Sequence, residues 1–431
     1  MSLGADQRAL TARIRFGLGR RGGEALDGPA ERWLLAQLAG PDPGPAGPDL
    51  ASCLRAIAFD RRERPPPEQS MARPILRAEQ QAALGWAVAT PRGFRERLVR
   101  FWANHFTVSL RQGGVGALAG AFVREAIRPH VTGRFEDMLL AVMRHPAMLL
   151  YLDNAVSVGP DSLAGAGSGR GLNENLAREC LELHTLGVGN YTQADVTALA
   201  AVLTGWSVDI NDPVPGFFFR PRAHQPGSKR LLGRVFAEGE AGGVAALRFL
   251  AGQPATHLHL AGKLARHFVA DAPPPEAVRR IAGVLGGTGG DLGAAAGAIV
   301  GIEAAWVPLG KLRAPQDFVI AALRAADLPD GQAPPDLAAV VAGLGQPLWN
   351  APLPDGWADD AAGWAGPEAM LRRIDWSFSL AGRLRDADPP ALAEASLGPL
   401  LRPATRAAMA GAPSRVEAMA LLFASPEFQR R

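Results

Sequence analysis

Most of this chain consists of short segments in which apolar residues recur at helical spacing, separated by connectors rich in proline and glycine. In the segment 91–109, Phe94, Leu98, Phe101 and His105 fall at i, i+4, i+7 and i+11, which places them on one helical stripe. Roughly fifteen such segments follow one another, without alternation of strands and helices and without a fixed repeat. The pattern therefore predicts an all-α fold.

One part of the chain departs from this pattern. Residues 216–236 contain two short runs on either side of a turn signal, Gln225-Pro226-Gly227. We therefore expect an all-α, multi-helix globular bundle with one short β-hairpin or ordered loop near 216–236. We expect the main helical domain to span 1–310. A C-terminal helical region, 311–431, is expected to pack on it as one unit.

Composition narrows the classes of protein to which the chain can belong. With 431 residues, of which 48% are hydrophobic, it can bury a large core, which excludes a disordered chain. Its two cysteines cannot form a disulfide scaffold. A net charge of +3 is nearly balanced, so we expect no nucleic-acid partner. No stretch reaches the roughly 18–20 apolar residues of a membrane span, and the first residues lack a signal-peptide pattern. We expect a cytoplasmic protein, with export left open.

Scarce residue types are concentrated in the middle of the chain. Composition drifts toward alanine, glycine, proline and arginine, so a rare polar residue stands out. Six of the seven asparagines, both tyrosines and five of the eight histidines lie between residues 104 and 224. This concentration indicates that a functional site draws on that region.

The predicted helix 174–186 carries the most informative side chains. On a regular helix Asn175, Glu179 and Glu182 lie within about 60° of arc, so an amide and two carboxylates share one face. Leucines surround most of the circumference, which favours burial on several sides. A buried pair of glutamates needs a partner such as an arginine, an amide donor, a shared proton or a metal ion. A solvated helix face is the alternative.

Polar and aromatic residues from other predicted elements are candidates to surround this face. Catalytic roles are predicted for His105, Glu179, Glu182 and His224. Binding roles are predicted for Trp102, Asn104, Asp153, Asn154, Asn173, Asn175, His184, Trp206 and Lys229. Structural roles remain the alternatives, because Asn173 can cap the helix and His105 can be a core histidine. A Cys180–His184 dyad is disfavoured, since adjacent turns of one helix rarely orient such a pair.

Eight short strings of residues stand out along the chain. They are FWANHF (101–106), MLLYLDN (148–154), NENLARE (173–179), ELHTLG (182–187), LTGW (203–206), HQPGSK (224–229), LARHF (264–268) and SPEFQ (425–429). Together they resemble a bacterial family, domain of unknown function 1800 (DUF1800). The resemblance implies no particular reaction. Members of that family occur beside a second family that resembles alkaline phosphatases and sulfatases, which implies such a protein as a partner. Relatives usually have an aliphatic residue or methionine at the position of Cys180, which argues further against a cysteine nucleophile.

Two functional interpretations follow from the residues. In the first, the chain is a metal-assisted hydrolase, in which Glu179 and Glu182 act as base or ligands of a divalent metal such as Zn, Mn or Fe. His105 or His224 then carries the proton. In the alternative, the chain is a non-catalytic helical partner or scaffold of the phosphatase- or sulfatase-like protein, and the polar residues form a buried hydrogen-bond network. Binding of a small ligand without chemistry is also left open.

Overall fold

Proline and glycine set most of the helix ends in the structure, a computed structural model that describes residues 4–25, 28–167, 169, 171–328 and 333–431. Within these residues there are twenty α-helices. The first ten are α1 (Ala5–Thr11), α2 (Ala30–Ala36), α3 (Leu50–Glu63), α4 (Ala72–Ala89), α5 (Gly93–His105), α6 (Ala119–Phe122), α7 (Phe135–Arg144), α8 (Pro146–Tyr151), α9 (Asn175–Glu179) and α10 (Gln193–Leu203). The others are α11 (Glu240–Ala251), α12 (Pro254–Phe268), α13 (Pro275–Thr288), α14 (Leu292–Val300), α15 (Pro315–Ala326), α16 (Leu337–Gly343), α17 (Pro367–Ala381), α18 (Pro389–Ser396), α19 (Pro403–Ala410) and α20 (Arg415–Ala424). The predicted all-α class is confirmed.

Local sequence signals explain several of these ends. Pro146 separates α7 from α8, because proline lacks the N–H that would continue the helix and suits a first helical position. Thr192 and Asp195 form the capping box that opens α10. None of the helices in the described ranges combines the length and hydropathy needed to cross a membrane.

The predicted short hairpin is confirmed near 216–236, and a further strand pair accompanies it. Strand β1 (Trp206–Asp209) pairs antiparallel with β2 (Gly216–Phe219), and β3 (Lys229–Leu231) pairs with β4 (Arg234–Phe236). The Gln225-Pro226-Gly227 turn therefore separates two strand pairs and does not close one. The β3–β4 turn consists of Leu232 and Gly233, both with positive φ, as a tight two-residue turn requires.

Two clusters of buried apolar side chains form the core. The larger one surrounds α5 and includes Phe94, Trp102, Phe106 and Phe135. The second one is built from α15–α20 together with Leu10 and residues of α4. Because the N-terminal helices contribute to both clusters, the C-terminal helices are packed on the beginning of the chain. The division at residue 310 stays a prediction.

Helices α5 and α12 lie side by side and run in opposite directions. Phe101 contacts Phe268 at 6.4 Å between ring centroids, and His105 lies 6.4 Å from His259. The irregular segment 345–364 covers this helix pair. It is fastened to α5 by the side chain of Asn104, which donates to the carbonyl of Trp357 at 3.0 Å and accepts from its N–H at 2.8 Å.

Candidate functional site

A cavity of about 840 Å³ lies between α5, α12 and the segment 345–364. We call it the central cavity. The charged and imidazole side chains that line its α12 side and the adjoining wall are His105, His259, Lys263, Arg266, His267, Asp355 and Asp359. At the far side, Arg124 and Arg128 are neutralised by Glu79 and Glu96.

Helix α12 presents three of these groups on one face. His259, Lys263 and His267 are spaced at i, i+4 and i+8, so they lie one above another on successive turns. Burial lowers the pKa of Lys263 to about 8. Its ammonium has no hydrogen bond or ion pair to any residue in the described part of the chain. Lys263 is thus a cation facing a cavity without a counterion bound to it.

The segment that follows α9 orients two imidazoles from outside its own helix. Residues Cys180–His184 form a π-helical turn, whose last carbonyls have no partner within the helix. The His184 carbonyl accepts from Nε2 of His105 at 3.2 Å, and the Leu183 carbonyl accepts from Nε2 of His259 at 2.9 Å. This helix therefore contacts the cavity through its backbone oxygens.

The bond to His184 fixes the protonation of His105. A carbonyl can only accept, so Nε2 carries the hydrogen and Nδ1 carries a lone pair. His105 is 1% exposed, and Nδ1 has no partner among the described residues. Burial, with Lys263 nearby, lowers the pKa of His105 well below its usual range, so the ring is neutral. The Trp102 ring packs edge-on against the His105 ring, with 5.3 Å between the ring centroids.

His267 is a third oriented imidazole, and Asp359 holds it. Nδ1 of His267 donates to the Asp359 carboxylate at 2.7 Å, and its buried Nε2 has no partner within the described ranges. Burial lowers the pKa of His267 to about 4. Burial opposes the charge on Asp359, but His267, Lys311 and Arg431 outweigh it and lower that pKa to about 2. A neutral imidazole held by a carboxylate is the arrangement of a general base.

Glu179 and Glu182 are outside the lining of the central cavity. Both are half-buried. Burial, then repulsion by Glu182 and Asp355, raises the pKa of Glu179. Glu182 accepts a hydrogen bond of 2.5 Å from the hydroxyl of Tyr191. Glu179 is therefore a carboxyl that holds a proton more readily than usual, close to the Asp355 edge of the central cavity.

His224 and Lys229 lie in a separate network under the β-structure. Nδ1 of His224 donates to the Thr204 carbonyl at 2.8 Å. Nε2 accepts from Nζ of Lys229 and from the N–H of Gly239, each at 3.0 Å. Lys229 also donates to the Gln225 carbonyl. Both ring nitrogens of His224 are occupied, so the predicted proton-carrier role has no free nitrogen here. This arrangement closes a turn.

Asn154, Trp206 and Asp153 also lie away from the central cavity. Nδ2 of Asn154 donates to the carbonyls of Leu203 and Trp206 at 3.1 and 3.0 Å, which braces α10 against β1. Trp206 is fully buried. Asp153 has a positive φ and accepts from Gln112 at 3.2 Å. The observed contacts of these three residues are structural.

The amides before the Glu179 helix line the protein surface. Asn175 is exposed, which corrects the expectation that its side chain shares a secluded spot with Glu179 and Glu182. Asn175 is the first residue of α9, and the π turn that follows Glu179 changes the spacing on which the shared face with Glu182 was based. Asn173 accepts from the N–H of Asn175 at 3.0 Å, the local bond expected of a capping residue. Both line an open surface pocket of about 700 Å³ with Arg220.

Of the predicted residues, Asn104 and His105 line the central cavity, and Trp102 and His184 contact the His105 ring. His184 contributes its carbonyl, while burial lowers the pKa of its ring to about 3. Cys180 is fully buried, and burial raises the pKa of its thiol to about 12. Both properties disfavour Cys180 as a nucleophile, as the sequence does.

Sequence reasoning did not select His259, Lys263, His267 and Asp359. A signal for the first three was present, because they occupy successive turns of one predicted helix and lysine occurs at only three positions, 229, 263 and 311. Nothing in the sequence could indicate Asp359, whose partner is 92 residues away.

The donor set does not form a metal centre. No group of three or more His, Cys, Asp and Glu side chains is arranged to hold a metal ion among residues 4–25, 28–167, 169, 171–328 and 333–431. The oriented imidazoles are instead bound to carbonyl and carboxylate oxygens.

Comparison with known proteins identifies a family and no individual relative. No curated protein and no solved structure matches the chain. A family described as protein of unknown function (DUF1800) matches residues 10–430, which is nearly the whole length. The chain with the three oriented imidazoles therefore belongs to the DUF1800 family.

Proposed function

We propose that this protein is an enzyme, a hydrolase that works by acid–base chemistry in the central cavity. The observation that supports it is the pair of buried imidazoles, His105 and His267, whose lone pairs have no partner in the described ranges while the opposite nitrogens are fixed by oxygens. An unpartnered buried polar atom destabilises a fold by about 1–3 kcal/mol, so two that line one cavity favour a role in binding a reactant.

The roles follow from the hydrogen bonds. His267, held by Asp359, takes a proton from the attacking water through Nε2. His105 accepts a hydrogen bond from the substrate through Nδ1. His267 then returns this proton to the leaving group, as the histidine of a hydrolytic triad does. No step requires a metal ion, since each proton has a donor and an acceptor in the chain.

The test is a panel of ester, phosphate, sulfate and amide substrates. His267→Gln and His105→Gln should each lower kcat by roughly 10²–10⁴-fold with an unchanged melting temperature, and Asp359→Asn should lower kcat to a similar extent. His130→Gln is the matched control, because His130 is outside the lining of the cavity. Absence of turnover by the wild-type protein across the panel, or full activity of His267→Gln, would refute the hydrolase.

A second candidate is a non-catalytic partner of a phosphatase- or sulfatase-like protein. The amides of Asn173 and Asn175 and the guanidinium of Arg220 favour it, because they surround an open surface pocket where another protein can reach them. Calorimetric titration with such a protein should show binding that Arg220→Ala weakens at unchanged stability. Equal binding by the variant rules out this surface. The cytoplasmic location and the lack of a nucleic-acid partner stay predictions.

A further inference from the structure

The chain has three lysines, which differ in the hydrogen bonds that their side-chain nitrogens make. Nζ of Lys311 donates to the Asp271 carboxylate and to the carbonyls of Arg266 and Asp359, which uses all three of its hydrogens. Nζ of Lys229 donates to His224 and to the Gln225 carbonyl. Nζ of Lys263 has no such bond within the described residues and lies at the wall of a cavity.

Burial lowers the pKa of all three, so burial alone does not distinguish them. What distinguishes Lys263 is that its nitrogen is not engaged. The groups that face it are Asp355, Asp359, Arg266, His105, His184 and His259. The imidazoles are neutral and can relay protons, and a lysine with a pKa near 8 is about half neutral at pH 8. An unengaged, desolvated amine beside proton-transferring groups is the setting of an imine-forming lysine.

We propose that Lys263 is a nucleophile that forms an imine with a small aldehyde or keto compound bound in the central cavity. Its Nζ lone pair adds to the carbonyl carbon, and the carbonyl oxygen takes up a proton. Loss of that oxygen as water, with loss of the second Nζ hydrogen as a proton, gives the C=N bond. One amine and one carbonyl yield one imine and one water, and nothing is oxidised or reduced.

Arg266 narrows the class of carbonyl compound. It follows Lys263 by three residues on α12, so the two side chains are on neighbouring parts of one face. Its guanidinium is exposed, lines the cavity and has no ion pair in the described part of the chain. A guanidinium at this position binds a carboxylate. The compound is therefore a small oxo acid, with its carboxylate at Arg266 and its carbonyl carbon at Lys263.

The test uses the full-length protein with glyoxylate as the probe and borohydride to reduce and trap the imine. Peptide mapping by mass spectrometry then compares the three lysines within one molecule, so no variant is required. We expect labelling at Lys263 at least ~10-fold faster than at Lys229 or Lys311. The labelling rate should rise with pH to a midpoint about 8, whereas Nα-acetyl-lysine in solution has its midpoint near 10.4.

Two variants separate chemistry from folding. Lys263→Arg keeps the positive charge and should abolish the label at an unchanged melting temperature. Arg266→Gln should reduce labelling by glyoxylate more than labelling by the uncharged probe acetaldehyde. Equal labelling of the three lysines, or a midpoint near 10 for Lys263, overturns the proposal. Because the label is read without turnover, this outcome is independent of whether the protein hydrolyses anything.

Discussion

At the scale of single residues, the chemistry of the central cavity depends on two lone pairs. His105 and His267 each give one ring hydrogen to an oxygen that can only accept, which leaves the other nitrogen as an acceptor. The partners differ, since one is a backbone carbonyl and the other a carboxylate. Only the hydrogen bond between His267 and Asp359 therefore involves a charged group, and its contribution to the free energy of unfolding should vary with pH.

Replacement of Asp359 by asparagine tests that dependence. The pKa of Asp359 is about 2 in the fold and about 3.9 in an unfolded chain, so its charge stabilises the fold above pH ~4. This contribution is lost as the pH falls toward 2. We expect Asp359→Asn to lower the free energy of unfolding by about 2 kcal/mol at pH 7, and by less near pH 3, as measured by urea unfolding.

Asp360→Asn is the control for this experiment. Its carboxylate accepts a single bond from the N–H of Gly363 at the surface, and an asparagine can accept the same bond. A pH-independent loss in Asp359→Asn, or an equal loss in the control, would contradict the charge assignment.

Residue types and spacing predicted part of this site. His105 is identifiable because it ends an apolar helical stripe, and α5 is observed over most of the predicted length. The bond partners were beyond prediction, because the His184 carbonyl and the Asp359 carboxylate come from positions 79 and 92 residues away. Glu182 is close enough to raise the pKa of Glu179, whereas the side chain of Asn175 is exposed at the start of α9.

At the scale of elements, the π turn Cys180–His184 and the segment 345–364 give the cavity its form. A π turn cannot be predicted from apolar spacing, since its leucines fit a regular helix equally well. The segment 345–364 has no periodic pattern in its apolar residues. The two hydrogen bonds between the Asn104 side chain and the Trp357 backbone, which we call the clasp, could not be predicted from the sequence. The backbone of this segment approaches α5 closely at Gly356, where φ is 87°.

Gly356→Ala tests that approach. A Cβ atom at this position would lie 2.5 Å from the carbonyl oxygen of Asn104, and the positive φ is unfavourable for alanine. We expect a loss of about 1–3 kcal/mol in the free energy of unfolding, because either the clasp opens or the backbone is strained. Differential scanning calorimetry measures it. The control is Gly113→Ala, which meets no atom within 4 Å and has no positive φ. Similar melting temperatures for the two variants would show that the clasp does not constrain this segment.

At the scale of the whole molecule, buried ion pairs connect the two apolar clusters. Asp317 on α15 bonds Arg97 on α5 at 2.7 Å and lies 3.5 Å from Arg431. All three side chains are nearly inaccessible to solvent, and the arginines hold the pKa of Asp317 well below its usual range despite burial. The negative charge of Asp317 therefore serves both arginines, and Arg431 has Asp359 as a second, more distant carboxylate at 3.9 Å.

Asp317→Asn should therefore destabilise the protein by about 3–5 kcal/mol at neutral pH, because it removes the counterion of buried Arg97 and the nearer of the two carboxylates beside buried Arg431. Asp327→Asn is the matched control. Its pair with Arg21 has a similar length, 2.8 Å, but both side chains are about half exposed, so the loss should stay below about 1 kcal/mol. Urea unfolding of both variants measures the difference. A loss in Asp317→Asn as small as in the control would show that the cluster does not join the two parts of the fold.

The hydrogen bonds between Asn104 and Trp357 also determine how a ligand in the central cavity would affect the stability of the whole fold. The two walls they join are 253 residues apart along the chain, so a molecule held between them acts as a non-covalent cross-link between distant segments. A ligand present at a hundred times its dissociation constant adds about 2.7 kcal/mol of stability if it binds only the folded state. Screening compounds by the rise in melting temperature is therefore a direct route to the natural reactant, because such a screen requires no assumption about the reaction.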